Sequence, residues 1–401
     1  MYHLPALLTR RLCWFLVRLL VLPTILLIGC SGPDSTRPEA TSAVAPTSSS
    51  LPTATATLAP PTATVLASPA TSTTPSGASC APGVDILGFS DALDKLQIGD
   101  HTVGNISAIA WVGGDSYIAA ADRDGVMYRI SFPPGGTPQV DDIFRLTDAN
   151  GQPWSDDDID AEGLAVDGDD LLVASEVGPT IRRFDATGKL QAGYDVPGRF
   201  HVAPEGDAGL NEIFESLAID PTGASLWTAN ERPLGPDGFD ADGRGRVRLL
   251  RYERTGDAFV AGSQYGYLTE AEQGLSELVA IDDNHLLALE RGFSLLAGFT
   301  AKVYLVTIDA TTDVRDINGL DGADVVPVTK RLLVDLAQCP VTPDGDTPGD
   351  FSPLLDNFEG MTFGPVLPDG RRSLILVSDD NGQSLEVTRL IELAIDPNAL
   401  S

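Results

Sequence analysis

The sequence predicts an all-β fold, a single β-propeller of five to six four-stranded blades that an N-terminal strand closes. First, two short apolar runs joined by a tight Asp/Gly turn, a pattern typical of a β-hairpin, occur five times. Second, these copies begin 53 to 82 residues apart, which suits four short strands per repeat. Third, the chain has 40 Gly and 29 Pro and little helical periodicity. One domain therefore explains the repeats better than two.

Each copy of the pattern forms the first two strands of one blade. The paired runs are Ser107–Trp111 with Tyr117–Asp122, Glu162–Val166 with Leu171–Glu176, Glu215–Ile219 with Leu226–Glu231, Glu277–Ile281 with Leu286–Glu290, and Glu359–Phe363 with Leu374–Asp379. The third strands are Val126–Ser131, Thr180–Asp185, Arg246–Tyr252, Lys302–Ile308 and Thr388–Ala394. A fourth strand is visible at Gln191–Val196 in the second copy, whereas the fifth copy has none of its own. We expect Val84–Phe89 to supply this fourth strand and close the ring. The alternative is a degenerate sixth blade between residues 290 and 359.

Residues 1–30 have the composition of a secretion signal with a lipidation site. They contain three arginines and no acidic residue, and the apolar run Leu19–Ile28 follows the last arginine. This arrangement is typical of a signal peptide rather than a membrane span. The run ends in Leu27-Ile28-Gly29-Cys30, which resembles the lipobox of bacterial lipoproteins. We therefore expect a lipid anchor at Cys30 and a location in the cell envelope, facing outside the cytoplasm; an ordinary signal peptide with a chance cysteine is the alternative.

Residues 31–79 are predicted to form a disordered stalk between the anchor and the folded domain. Of these 49 residues, 39 are Ser, Thr, Pro or Ala. Such a composition lacks the apolar side chains that offset the entropy cost of ordering the chain. Residues 80–401 therefore form the propeller domain.

The negative charge of the chain belongs to this domain. The whole chain has 57 acidic and 26 basic residues, of which residues 1–79 hold 2 and 4. The domain therefore has 55 acidic and 22 basic residues, a formal net charge of −33. Because such a field repels polyanions, nucleic acid and anionic membrane surfaces are excluded as partners. We expect contact with a membrane only through the lipid anchor at Cys30.

Two cysteines remain after the signal, Cys80 and Cys339. Two thiols in an exported domain are more often paired than free, so a disulfide between them is expected. It would tie the first residues of the domain to a late loop. Two unpaired cysteines are the alternative.

Acidic residues recur at two points of the hairpin pattern. Four copies begin their first strand with Glu, and all five end their second strand with Glu or Asp. Equivalent positions of successive blades form a ring around the central channel, so these side chains should converge on one mouth of the channel. The residues are Glu162, Glu215, Glu277, Glu359, Asp122, Glu176, Glu231, Glu290, Asp379 and Asp380.

Carboxylates gathered in this way repel one another, which raises some of their pKa values or demands a cation. Oxygen ligands favour Ca²⁺ over transition metals. The predicted ligands are Glu162, Glu176, Glu215, Glu231, Glu277, Glu290, Glu359 and Asp379. In the alternative, individual glutamates bond the backbone of a neighbouring blade or pair with Arg123, Arg232 or Arg291.

Other motifs in the domain are weaker. The segment Asp158-Ile-Asp-Ala-Glu162, with Asp169, imitates an EF-hand loop, but no flanking helices are expected, so an EF-hand is not predicted. The histidines of the domain lack the spacing of zinc ligands. The sequence has no G-x-S-x-G motif, so serine-esterase chemistry by that route is not predicted.

Several ordered motifs within residues 84–396 resemble the Phytase-like family of exported bacterial proteins, also described as esterase-like activity of phytase. The stretches that carry the resemblance are Glu162–Leu164, Gly209–Leu217, Ala229–Leu234, Leu289–Arg291, Lys302–Val306, Lys330–Leu336 and Asp356–Gly360. The resemblance implies a propeller with phosphomonoesterase or esterase activity, and calcium dependence is a further expectation from it.

Two functions fit these observations. The first is metal-assisted (Ca²⁺) hydrolysis of a phosphomonoester or related ester, a small anionic or ester substrate, at the channel mouth. Glu162, Glu215 and Glu359 would hold the metal, and Arg232 and Arg291 would clamp the anion. The bound cation would have to invert the negative local potential. The second is a non-catalytic propeller that binds a surface ligand or partner protein and satisfies its carboxylates structurally.

Overall fold

The structure, a computed structural model, describes residues 77–156, 158–296, 298–309, 311–322, 324–341 and 352–401. The predicted signal peptide with Cys30, and all but the last three residues of the predicted stalk, lie outside the described residues. Within the described part of the chain, no helix is long and apolar enough to cross a membrane.

Four strands precede the first blade. They are β1 (Ala78–Ala81), β2 (Val84–Ser90), β3 (Gln97–Ile98) and β4 (His101–Thr102). The hairpin of β3 and β4 is a small sheet of its own, whereas β1 and β2 belong to the last blade.

Nineteen further strands form five antiparallel sheets, which are the blades. Blade 1 contains β5 (Ile106–Gly113), β6 (Ser116–Ala121), β7 (Val126–Ser131) and β8 (Gln139–Arg145). Blade 2 contains β9 (Ala161–Asp167), β10 (Asp170–Ser175), β11 (Thr180–Phe184) and β12 (Leu190–Tyr194). Blade 3 contains β13 (Ala218–Ile219), β14 (Ser225–Ala229), β15 (Arg244–Thr255) and β16 (Ala258–Ala271). Blade 4 contains β17 (Gly274–Ala280), β18 (His285–Ser294), β19 (Gly298–Thr307) and β20 (Thr329–Asp335).

Blade 5 combines β21 (Phe358–Val366), β22 (Arg372–Ser378) and β23 (Leu390–Ile395) with the two N-terminal strands. The helical elements of the described residues are short 3-10 turns at Gly198–Phe200, Leu336–Gln338 and Pro397–Leu400. The all-β prediction is therefore confirmed.

The ring closes through an N-terminal strand, as predicted. Strand β2 lies antiparallel to β23, with Val84 opposite Ile395 and Ser90 opposite Leu390. Strand β1 pairs with the outer side of β2. A disulfide between Cys80 and Cys339 fastens β1 to the segment that follows blade 4. The described residues between blades 4 and 5 form no further blade, so the propeller has five.

Apolar side chains between the blades hold the ring together. The second strands, such as β10 and β22, are buried almost throughout, which explains their runs of Leu, Ile, Val and Ala. Five apolar clusters fill the five spaces between successive blades. One of them packs Ile375 and Val377 of blade 5 against Ile109 and Tyr117 of blade 1. The core is therefore continuous around the ring.

We call the mouth the end of the channel at which the first strand of each blade begins and its second strand ends. The innermost strands pack closely there. A Cβ atom on Gly163 would lie 2.6 Å from the carbonyl carbon of Ser216, and one on Gly360 would lie 3.1 Å from the Cα atom of Ala108. The Glu-Gly pairs of β9 and β21 thus combine a carboxylate with the small residue that this packing requires.

Candidate functional site

In most blades a β-bulge lies at the start of the innermost strand, and one residue there departs from the regular alternation of side chains. In blades 1, 2, 4 and 5 the pairing of the first and second strands skips one residue. The skipped residues are Ser107, Glu162, Ser276 and Glu359. Such a bulge re-aims a side chain, and bulges are common beside functional sites. In blade 3, Glu215 follows Phe214, whose partner is Asn230, and so takes the corresponding place.

The second strands contribute a second set of charged residues to the mouth. In blades 1, 2, 4 and 5, one second-strand residue pairs with the residue just before the bulge, and in blade 3 Asn230 pairs with Phe214. In every blade, a charged residue directly follows this second-strand residue. These residues are Asp122, Glu176, Glu231, Arg291 and Asp379. Four blades thus supply an acid at this point and blade 4 supplies a base.

This pairing corrects the predicted register of blade 4. The sequence pattern placed Glu277 and Glu290 among the converging carboxylates, but the pairing puts Ser276 and Arg291 at those positions. The run Leu286–Glu290 is one residue shorter than its counterparts, so matching the glutamates shifted the alignment by one. A shift of one residue turns every side chain of a strand to the other face. The prediction that these two glutamates are calcium ligands is therefore not supported by the structure.

Both glutamates serve the packing of the blades instead. Glu277 is buried, and its Oε1 accepts hydrogen bonds from the backbone N–H groups of Leu217 at 3.2 Å and Leu278 at 2.9 Å. Burial raises its pKa well above the ordinary value. Glu290 accepts a hydrogen bond from the Tyr267 hydroxyl at 2.6 Å and forms an ion pair with Lys330 at 2.5 Å. Glu290 thus matches the alternative in which individual glutamates are satisfied structurally, whereas Glu277 Oε2 is buried without a hydrogen-bond partner among the described residues.

Arg291 lies among three of the predicted glutamates. Its Nη2 is 2.9 Å from Glu359 Oε1, 3.6 Å from Glu215 Oε2 and 3.7 Å from Glu231 Oε1. Burial alone would lower the pKa of the guanidinium, but attraction to these carboxylates raises it. Arg291 therefore neutralises part of the mouth and does not present a free charge to an anion.

Asp122, Asp160 and Glu162 form a compact group of carboxylates. One oxygen atom from each lies within 4.8 Å of the other two. Asp122 Oδ1 is buried and has no hydrogen-bond partner among the described residues, while Arg123 Nε lies 3.5 Å from Asp122 Oδ2. Ca²⁺ takes about six to eight oxygen ligands, so three carboxylates fit this ion and leave positions for water and substrate.

Burial and mutual repulsion raise the pKa values across the mouth. Burial raises the pKa of Asp122 and of Glu176 to about 8. The pKa values of Glu162 and Glu215 lie well above the ordinary range, because of burial first and neighbouring glutamates second. Burial and the charge of Glu359 shift the pKa of Asp379 in the same direction. The mouth therefore favours uptake of protons or of a cation.

The remaining predicted residues lie at the edge of this group. Arg232 donates through Nη1 to the carbonyl oxygen of Gln273 at 3.3 Å, and its Nε is 3.7 Å from Glu231 Oε2. Asp380 accepts from the N–H of Asn105 at 2.9 Å and pairs with Lys95 at 3.2 Å. The structure thus gathers at the mouth the predicted residues Glu162, Glu176, Glu215, Glu231, Glu359, Asp379, Arg232 and Arg291.

Sequence analysis missed Asp160 as part of this site and noted it only within the EF-hand-like spacing. Asp160 and Glu162 flank Ala161, the first residue of β9. Glu162 is the bulged residue of β9, so the bulge and not the regular alternation of the strand sets the direction of its side chain. Two acids at this spacing at the start of an innermost strand were the signal that could have identified the pair.

A protein-family comparison matches most of the propeller. The family model described as "Phytase-like: Esterase-like activity of phytase" matches residues 101–382. This match confirms the resemblance seen in the motifs.

Several solved structures are also similar to this chain. Glutaminyl cyclase of Myxococcus xanthus is 14% identical, with 73% of this chain and 92% of that chain covered and a TM-score of 0.36. The periplasmic gluconolactonase of Pseudomonas aeruginosa is 13% identical, with coverages of 75% and 87% and a TM-score of 0.31. A putative 6-phosphogluconolactonase from Bacteroides uniformis is 12% identical, with coverages of 75% and 88% and a TM-score of 0.32. Likenesses of this size say nothing about activity. No match was found among curated proteins.

Proposed function

The chain belongs to the Phytase-like family, and we propose that it is an exported, lipid-anchored hydrolase that cleaves a phosphomonoester or related ester at the mouth of its propeller. One observation supports this proposal above the others. One oxygen each of Asp122, Asp160 and Glu162 lies within 4.8 Å of the other two, and Asp122 Oδ1 is buried without a hydrogen-bond partner among the described residues. This donor set fits a hard divalent cation.

In this proposal Asp122, Asp160 and Glu162 hold Ca²⁺. When bound, the ion supplies a positive charge that polarises the ester and lowers the pKa of an attacking water. The domain requires such a charge for an anionic substrate, because its formal net charge is −33. Arg291 cannot supply it alone, since three carboxylates already surround its guanidinium.

The other residues of the mouth would bind and orient the substrate. Arg232 is partly exposed at the edge of the group and can reach an anionic oxygen. Glu215 and Glu359 are held in place by Arg291 and form the wall of the site. Glu176, with a pKa of about 8, keeps a proton at neutral pH and can donate it to the leaving oxygen.

A second candidate function is a propeller that binds a ligand or a partner protein without catalysis. The contacts of Arg291 favour this alternative, because one guanidinium contacts three glutamates and neutralises part of their charge without any metal. Both functions use the same mouth, so hydrolysis has to be measured separately from binding.

The test measures hydrolysis of p-nitrophenyl phosphate, p-nitrophenyl acetate and phytate by the purified protein, with Ca²⁺ and with a chelator. We expect Ca²⁺-dependent turnover of at least one of these esters and at least a hundredfold loss in a Glu162→Gln variant. Glu253→Gln is the matched control, because Glu253 is exposed near the far end of β15. A thermal shift with Ca²⁺ is measured for all three proteins.

The outcomes separate the two functions. A Ca²⁺-dependent thermal shift without turnover of any ester would favour the binding propeller. Turnover that a chelator leaves unchanged would contradict the role of the metal. Full activity in Glu162→Gln would place the site elsewhere.

A further inference from the structure

The mouth face carries strongly exposed apolar side chains. Leu295 and Leu296 are 94% and 89% exposed in the connection between β18 and β19, and Leu385 is 93% exposed between β22 and β23. Both connections link a second strand to a third strand and therefore lie at the mouth end of the propeller. Phe293 is 58% exposed and packs on Phe299, with ring centroids 4.9 Å apart.

Two more connections repeat this feature on the same face. Leu210 lies between β12 and β13, and Phe239 lies between β14 and β15. Both side chains are more than half exposed. Four connections of blades 2 to 5 thus carry exposed apolar residues at the mouth end. Exposed apolar groups gathered on one face indicate contact with another protein or with a membrane.

The hairpin of β18 and β19 projects beyond the charged residues of the mouth. Arg291 pairs with Ala301, and the two strands continue through three further pairs to Ser294 and Gly298. At about 3.3 Å per residue, the tip stands about 10 Å farther along the strand than Arg291. We call the side chains of Phe293, Leu295 and Leu296 the apolar tip. An apolar surface could receive this tip while the carboxylates stay behind it.

The predicted lipid anchor indicates which surface this is. Strand β1 lies antiparallel to β2, and β2 ends at the mouth, where Ser90 faces Leu390. Strand β1 therefore runs away from the mouth, with Ala78 opposite Ile86 and Ala81 opposite Val84 at the far end of β2. The predicted stalk and the lipid anchor expected at Cys30 precede this point in the sequence.

We infer that the mouth face docks on a lipid bilayer and that the apolar tip inserts among neutral headgroups. The formal charge of −33 selects zwitterionic over anionic lipid. Three side chains give weak binding, but a tether raises their effective concentration at the surface. This contact adds to the anchor at Cys30, which the sequence predicted as the sole membrane contact.

Vesicle flotation at a lipid concentration high enough to detect weak binding tests the inference with the chain from residue 31 onward, which lacks the lipidation site Cys30. We expect it to float with phosphatidylcholine vesicles and to bind less when a third of the lipid is phosphatidylserine. The combined variant Phe293→Ser, Leu295→Ser, Leu296→Ser should lose at least fivefold of the bound fraction. The control replaces Val112 and Val366, which are exposed at the opposite end, with Ser and should bind as the parent does.

Three results would overturn the inference. They are a parent chain that does not float with phosphatidylcholine, a tip variant that floats as well as the parent, and preferential binding to the anionic vesicles. Sedimentation velocity without lipid tests whether the tip binds a second copy of the chain instead. A parent that dimerises while the tip variant stays monomeric would assign the tip to self-association. The failure of this test leaves the proposed hydrolysis intact, because the readout is binding and not turnover.

Discussion

Arg291 stands at the position of blade 4 where the other four blades carry Asp or Glu, and its Nη2 lies 2.9 Å from Glu359. The register of the strands decides this placement, because a bulge at Ser276 shifts the pairing by one residue. A ring of five acids would leave every carboxylate repelled by its neighbours. With one base in the ring, Glu215, Glu231 and Glu359 have a partner, while Asp122, Asp160 and Glu162 form a separate group that suits a cation.

Replacing Arg291 with Met should destabilise the protein in a pH-dependent manner. Removal of one partner of a buried ion pair costs about 3–5 kcal/mol, because the other charge stays buried without compensation. We expect a loss of this size in the free energy of unfolding at pH 8 and a smaller loss at pH 5, where the glutamates can take up protons. Urea unfolding with a chelator present measures both values.

The control for this experiment is Arg315→Met. Arg315 is largely exposed and pairs with Asp313 at 2.7 Å, so its removal should cost about 0–1 kcal/mol at either pH. Equal losses at pH 5 and pH 8 in Arg291→Met would show that the guanidinium does not compensate these glutamates.

The elements of this fold could largely be predicted from the sequence, whereas one register could not. Strongly apolar runs with Asp/Gly turns identified all five hairpins, and the missing fourth strand of blade 5 identified β2 as the closing strand. The bulge was invisible, because the extra residue has no pattern of its own: it is Ser in blades 1 and 4 and Glu in blades 2 and 5. In blade 4 this led to Glu277 and Glu290 in place of Ser276 and Arg291.

Closure of the ring should depend on the disulfide between Cys80 and Cys339. The bridge spans a sequence separation of 259 and holds β1 and β2 at the outer edge of blade 5. In the chain-entropy model a loop of this length contributes about 5 kcal/mol. A Cys80→Ser, Cys339→Ser variant should lose up to this amount in the free energy of unfolding. Hydrogen exchange should also accelerate in β2 more than in β10, which serves as the internal control.

Uniform acceleration of exchange in both strands would contradict this expectation. It would mean that the ring opens as one unit and not at the strand that closes it. Unchanged stability would mean that the pairing of β2 with β23 suffices without the bridge.

At the scale of the whole molecule, the acidic residues fall into two groups, one on the outer surface and one at the mouth. On the outer surface, acids such as Asp167 pair with arginines. Burial is the largest single influence on Asp167 and would raise its pKa, but the ion pairs with Arg183 and Arg254 together lower it. At the mouth, burial raises the pKa values instead, as in Asp122 and Glu176. Mouth carboxylates such as Asp122 and Glu176 can therefore change their charge between pH 5 and pH 8.

The protein without metal should therefore lose stability as the pH rises from 5 to 8. In the folded state Asp122 and Glu176 have pKa values of about 8, against ordinary values of 3.8 and 4.5. Between these limits the folded state binds more protons than the unfolded state, so the free energy of unfolding falls with increasing pH. A bound cation favours the ionised form of the carboxylates that hold it, so Ca²⁺ should remove the part of this fall that comes from Asp122. Calorimetric Tm values at pH 5, 6.5 and 8, with a chelator or with Ca²⁺, measure the effect, and a Tm in chelator that rises towards pH 8 would contradict it.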